Sequence, residues 1–422
     1  MNKIDKKSNR YNEVYGIDIF KKSSEIKIIE YLGMLWNLKS PSIGAKELEN
    51  GYFLIYDKYN IIILDNYFNF KLEINDLNEI IYHVSELISN NSDNDINLGI
   101  ITLNKFITIS IDMEKNYNKI EYYDYEGIYF LQLNNDEFII CEVNKTIFYC
   151  DFFNKICKHI KSDISNKQSC NCLCLNEKKN LIVFSSNEIL PGGENKLIFY
   201  DLIKKEDYKN IEGSFIVSNN GLFLLKSQNK NHKKILLSGC KKYNSNQKNG
   251  ILISISSFDK SADEILSNFY VTENFEVYCF CEIILKEENN NMKNNSKYFF
   301  VGGFDEDLRQ GLIKLYKAYF DEPIEKNKIE FIINIVIEHE EKKEVEIYKK
   351  KSQEEIIRNQ IYNKKGKNKE YNIVKINQNF KGFRGPITSI MQTSSSGNIL
   401  VSCEDGNIYL FTMPNLDFFL SK

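Results

Sequence analysis

Proline is scarce in this chain, at 5 of 422 residues, and tryptophan occurs once, at Trp36. Asn, Lys, Ile and Tyr are plentiful beside it, a bias of base composition that says little about fold. Also missing is any apolar run near the roughly 18–20 residues that a helix needs to cross a bilayer. No membrane span is expected. Residues 1–16 (MNKIDKKSNRYNEVYG) have no apolar core of the kind a secretory leader carries. A soluble, cytoplasmic protein is the expectation. Charge of one sign is lacking too: 55 basic residues against 58 acidic ones leave a formal charge of −3. No global field then draws in nucleic acid or an anionic membrane.

Spacings that carry chemistry are absent as well. His83, His159, His232 and His339 each stand alone, outside any HExxH pattern. No GxSxG nominates a nucleophilic serine, although a triad could assemble from distant units. Pro191-Gly192-Gly193 is followed by no Gly-Lys-Ser/Thr, so it is no phosphate cradle. Glu306-Asp307, and Asp93 with Asp95, sit in Gly- or Asn-rich turns and read as solubilising residues rather than an acid–base pair. The ten cysteines follow strand alternation instead of metal spacing: Cys170, Cys172 and Cys174 fall on every second position, as do Cys279 and Cys281. Alternation puts such residues on one strand face, with Leu173 and Leu175 on the other. No second pair at the spacing of a zinc site accompanies them. They read as buried structural thiols, neither metal ligands nor disulfides. No catalytic, cofactor-binding or metal residue is assigned, and no cofactor is expected.

What is present is β-structure. The chain is 42% apolar and 13% aromatic, ample for a core. Its key stretch is residues 385–414, GPITSIMQTSSSGNILVSCEDGNIYLFTMP. Ile387, Ser389 and Met391 alternate with Thr388, Ile390 and Gln392, the period of a strand. Ser396-Gly397-Asn398 is turn chemistry, because Gly and Asn tolerate positive φ. Ile399 to Cys403 is an apolar β-rich run, and Asp405-Gly406-Asn407 is a strong hairpin signal. Ile408 to Phe411 follows, punctuated by Pro414. This unit resembles a blade of the WD-repeat family, with Phe411-Thr412 in place of the Trp-Asp that often closes the third strand. The family's Gly-His is replaced by Gly385-Pro386, and Ser402 and Asp405 match two positions of its structural bonding network.

The pattern recurs up the chain. Asn50-Gly51 and residues 57–60 are turns around strands 52–56 and 61–64, with Asp65 where the family's Asp stands. A second unit spans residues 80–123, with NLGIITLNKFITISID as its paired inner strands. A third turns at Asn134-Asn135-Asp136 and ends at Asp151, and a fourth ends at Tyr200-Asp201-Leu202. The fifth covers residues 213–256. In the sixth, Gly302-Gly303 is read as a strand-end turn between strands 298–301 and 312–316. Residues 25–31 are read as a strand that completes the last blade, since a ring must cover its edges. The fold class is thus all-β: a single propeller domain over residues 1–422, of seven four-stranded blades closed by the N- and C-terminal strands. Long loops leave room for six or eight. Residues 339–371 form a charged insertion before the last blade, either a solvated loop with transient helix or a projecting helix that docks a partner. Its Lys364, Lys365, Lys367 and Lys369 lack interleaved aromatics and make a weak nucleic-acid signal. The resemblance implies a non-catalytic scaffold or adaptor that binds protein partners through peptides on one propeller face. The alternative is a propeller hydrolase or lyase with its site in the central channel.

Overall fold

Short β-rich runs separated by turn residues fold this chain into consecutive antiparallel strands, each beside its sequence neighbour. The computed structural model describes residues 30–413 apart from 39, 76, 89–94, 114–116, 143–146, 162–166, 169–171, 189–194, 214, 227–233, 243–247, 257–264, 285–295, 321–328 and 336–381. The insertion expected at 339–371, the Gly pair at 192–193, His232, His339 and Asp93 lie outside the described residues.

Strand β1 (Glu30–Asn37) belongs to the last blade. Blade 1 is β2 (Ser42–Glu47), β3 (Phe53–Asp57), β4 (Ile61–Leu64) and β5 (Phe70–Ile74). Blade 2 is β6 (Ile81–Glu86), β7 (Asp95–Thr102), β8 (Phe106–Asp112) and β9 (Tyr117–Tyr123). Blade 3 is β10 (Tyr129–Gln132), β11 (Glu137–Cys141), β12 (Ile147–Asp151) and β13 (Ile156–Lys161). In blade 4 two short strands, β14 (Lys167–Gln168) and β15 (Cys172–Cys174), share the inner position. They pair with β16 (Leu181–Glu188), followed by β17 (Asn195–Asp201) and β18 (Glu206–Gly213). Blade 5 is β19 (Ile216–Lys226), β20 (Lys234–Lys241), β21 (Asn249–Ser256) and β22 (Leu266–Glu273). Blade 6 is β23 (Phe275–Glu282), β24 (Ser296–Asp305), β25 (Gln310–Tyr319) and β26 (Ile329–Ile335). Blade 7 is β27 (Ile387–Gln392), β28 (Ile399–Cys403) and β29 (Asn407–Thr412), with β1 on its outer edge.

The first strands of neighbouring blades touch, as β2 with β27 and β23 with β27 do, which sets them around a central axis. Burial follows position. In blade 1, β3 and β4 are buried along their whole length, whereas the outer β5 alternates with solvent. Middle strands are covered on both faces by adjacent blades, so they read as continuous apolar runs. Among the described residues the core accordingly forms seven apolar clusters, one in each interface between neighbouring blades. The cluster joining blade 7 to blade 1 sets Leu400, Ile408 and Leu410 against Phe53, Ile55 and Leu64. The ring is closed, with seven blades.

Three local expectations need correction. The closing strand is β1, from Glu30 to Asn37, rather than 25–31; residues 25–29 lie outside the described residues. Its register on β29 runs from Glu30↔Thr412 to Asn37↔Asn407, because this pairing lets Leu32, Leu35 and Trp36 pack on the closing cluster. Trp36 is packed, stacked on Phe70 with centroids 5.8 Å apart. NLGIITLNKFITISID supplies the two middle strands of blade 2, while β6 is the inner one. Gly302 and Gly303 lie inside β24, and the turn comes later, at 306–309. Glycine serves close approach there: a Cβ on Gly303 would lie 2.0 Å from the Glu276 carbonyl oxygen.

The strand order gives the ring two faces. The upper face carries the turns between second and third strands and the links from blade to blade. The lower face carries the remaining turns.

Candidate interaction surface

On the upper face of blade 1, Asp57 shapes the turn from β3 to β4: its Oδ1 accepts from the amides of Tyr59 and Asn60, both at 2.7 Å. This is the Asx pattern that makes aspartate a turn residue. The turn holds Lys58 and Tyr59 at its tip. The Ile81 amide donates to the Lys58 carbonyl at 2.8 Å, which ties the start of β6 to the same turn. In blade 2 the Thr102 hydroxyl bonds to Glu79, so the tip that carries Leu103 sits beside the Ile80 link. Tyr59, Ile80, Tyr82 and Leu103 therefore gather at the upper ends of two adjacent blades, and they are 52%, 41%, 37% and 40% exposed.

Around the ring on the same face, blades 5 to 7 present charge. The Tyr278 hydroxyl donates to Glu276 at 3.0 Å, and the Lys241 ammonium lies 5.0 Å from the Tyr278 ring centroid. Lys242 pairs with Glu306, and Asn274 donates to Asp307 at 2.6 Å. Burial raises Glu276 above the usual carboxylate range, although the Tyr278 bond and Lys241 pull it back. Glu404, exposed in the β28–β29 turn, is raised by partial desolvation against the pull of Lys241 and Lys58. The same turn is fixed by Asp405, whose Oδ2 accepts from the Tyr409 hydroxyl at 2.8 Å and whose Oδ1 accepts from the Asn407 amide at 2.9 Å. Gly406 in it has φ +84, as its Asp-Gly-Asn sequence predicts.

Inside the ring, Asn220 on β19 donates to the carbonyls of Ile43 at 3.1 Å and Thr388 at 2.9 Å, reaching from blade 5 to blades 1 and 7. Ser389 accepts from the Ala45 amide at 3.0 Å, and Ser402 lies 2.8 Å from both Thr388 and Ser389 hydroxyls. Ser402 and Asp405, which the sequence placed in one network, thus serve two separate ones.

Among the described residues, the two histidines do not converge. The His83 ring packs tilted on Tyr129, centroids 4.2 Å apart, and burial, then Lys46, lowers its pKa to about 3, so it is neutral packing. His159 lies edge-on to Phe148 in outer strand β13. Cys279 and Cys281 share the face toward blade 7, and Cys172 faces blade 3 while Leu173 faces blade 5, as alternation requires. Burial raises the Cys281 thiol to about 12. One cysteine expectation fails: Cys150 and Cys157 are joined as a disulfide. The hairpin register sets them opposite each other across β12 and β13, a proximity that spacing alone does not reveal. Glu306 and Asp307 are also more than solvated turn residues, since both are bonded to neighbouring elements. Lys241, Glu276, Tyr278, Glu404 and the apolar group were not singled out by sequence. Their only local signal is a place at or beside turn tips.

Asp65, which stands where the family's Asp would, and the unit-ending Asp151 and Asp201 share one task on the lower face. Asp65 Oδ1 accepts from the Tyr67 and Asn69 amides, Asp151 Oδ1 from Asn154, and Asp201 Oδ1 from Ile203 and Lys204. Each caps the turn from third to fourth strand.

Seven antiparallel blades closed by both ends of the described chain define a seven-bladed β-propeller. Among the described residues no helix is long and apolar enough to cross a membrane. No family model matches this chain, and no curated protein does. Among solved structures it is similar to one described as the structure of Dos1 propeller, with a TM-score of 0.46 and 11% identity over 89% of this chain and 78% of that one.

Proposed function

We propose that this propeller is a non-catalytic interaction scaffold, an adaptor that binds segments of partner proteins on its upper face. The observation that carries the reading is the exposed group of Tyr59, Ile80, Tyr82 and Leu103 on two adjacent blades. Single exposed apolar residues are ordinary, but a group of large ones rimmed by charge marks an interaction surface. Membership of the WD-repeat family is part of the reading, supported by the shared turn-capping task of Asp65, Asp151 and Asp201. So is a cytoplasmic setting, supported by the buried thiols of Cys240, Cys279, Cys281 and Cys403, with the Cys150–Cys157 disulfide standing against it.

A propeller hydrolase or lyase with a channel site is the competing reading. Against it stand the neutral, packed His83 and the commitment of Asn220 to two backbone carbonyls. Crosslinking and affinity purification of the tagged full chain, beside a Tyr59→Ala/Tyr82→Ala double variant, tests the choice. A partner set that the variant loses while its melting curve holds is the expected result. An unchanged partner set, or turnover in a hydrolase and lyase substrate screen, overturns it.

A further inference from the structure

The outer strand of each blade leaves one side of its backbone unpaired, and proteins blunt such edges with bulges and charge. Among the described residues, six of the seven outer strands carry a register shift against their neighbour: β1 on β29, β5 on β4, β13 on β12, β18 on β17, β22 on β21 and β26 on β25. Strand β9 is the exception. It pairs with β8 residue for residue from Tyr117 to Tyr123, and it is the last strand of its sheet. It also differs in what it shows to solvent. Ile120 and Tyr122 lie on one face, opposite Ile109 and Ile107, and both are exposed. Among the described side chains, β13 and β22 expose one large apolar residue each, Ile156 and Val271, and the other outer strands expose none. On the second face of β9, Lys119 and Glu121 form an ion pair at 2.7 Å with both side chains in contact with water.

A strand edge is completed by another strand, and the order of residues in β9 fits its own copy. We infer that two copies of this chain pair antiparallel through β9, about a twofold axis at Ile120. Opposite residues in a sheet share a face, so the axis of a symmetric antiparallel pair passes through a residue and not between two. Placed at Lys119 or at Glu121, the axis sets like charges opposite each other. Placed at Ile120, it sets Lys119 of each copy opposite Glu121 of the other and brings the two Ile120 side chains together. Opposite charges and β-branched pairs at such positions stabilise adjoining strands, and like charges destabilise them. The two four-stranded blades then form one continuous sheet. Strand β5 repeats the order as Lys71, Leu72 and Glu73, but Asp65 holds Lys71 at 3.1 Å, Leu72 packs on the core between blades 1 and 2, and the strand is bulged.

Sedimentation velocity of the full chain over a concentration series tests this. A concentration-dependent dimer is expected. Lys119→Glu and Glu121→Lys should each weaken it about tenfold or more, because each turns two attractive contacts into repulsive ones. The double variant Lys119→Glu/Glu121→Lys should restore it, since opposite charges face each other again. Lys71→Glu, on β5, should leave the dimer unchanged. A monomer at every concentration overturns the inference, as does a dimer that Lys119→Glu leaves intact. Single-variant losses that the double variant does not recover overturn it too. The contact is separate from the partner segments of the scaffold reading, which survives its failure.

Discussion

The Asn220 side-chain amide donates to the carbonyl of Thr388 at 2.9 Å, joining inner strands of blades 5 and 7 that are 168 residues apart. A second bond, to Ile43, engages blade 1. One side chain thus holds three inner strands at the axis. Replacing Asn220 with Ala removes both bonds and leaves two carbonyls short of a donor. A loss of about 1–3 kcal/mol is expected from denaturant melts. An unchanged midpoint would show that the cross-axis bonds add nothing to the ring.

Gly406 and Gly51 make a matched pair. Both have positive φ, +84 and +81. A Cβ on Gly406 would sit 2.8 Å from the Leu38 carbonyl oxygen, where the chain leaves β1, whereas one on Gly51 meets nothing within 4 Å. Gly51→Ala should cost about 1 kcal/mol, the penalty of the left-handed conformation alone. Gly406→Ala should cost about 1–3 kcal/mol more, because it also displaces the closing junction. Equal losses would place the strain in φ only.

Removing residues 1–37 takes β1 from blade 7 and bares the edge of β29. Exposed strand edges recruit other chains. The shortened protein should aggregate or oligomerise in light scattering at temperatures where the full chain stays monodisperse. A monomer with the original melting temperature would mean that closure does not need β1.

Glu276 titrates above its ordinary value of 4.5, chiefly through burial. The folded chain therefore keeps this proton at a pH where the unfolded chain has lost it. Stability linked to Glu276 falls as pH rises from 4.5 through the raised pKa, and the deficit persists above it. Glu276→Gln should raise the melting temperature at neutral pH, with the gain fading as the pH drops below the ordinary glutamate range. A variant less stable at neutral pH would mean that the bond from Tyr278 outweighs the burial of charge.

Cys150 and Cys157 face each other in register across one hairpin, while Cys240, Cys279, Cys281 and Cys403 are buried thiols. Alkylation of unfolded, unreduced protein should label the free thiols and spare this pair. Cys150 and Cys157 labelled as fully as Cys240 would show the pair to be two thiols.

Strand placement was readable because it is local. Alternation at Ile387 to Gln392 and the Asp-Gly turn at 405–406 need only their own neighbours in sequence, and each became the strand or turn expected. The aspartates at 65, 151 and 201 were readable for the same reason, since each bonds amides two to four residues away. Recurrence of these units implied a ring of blades, because a blade alone leaves both of its apolar faces exposed.

Contacts between units were beyond that reach. Gly302 and Gly303 look like a turn by composition, yet packing from β23 and the neighbouring blade keeps them in a strand. The register of β1 on β29 followed from Leu32, Leu35 and Trp36 finding the blade 1 interface, not from their own pattern. Glu276, Glu404 and Tyr59 belong to separate blades, and their shared face exists only after seven interfaces close the ring. Alternation and turn chemistry act over a few residues, so the sequence itself determined the strands and the class of fold. Which turn tips meet around the axis depends on packing between residues far apart in the chain, and only the tertiary structure decides that.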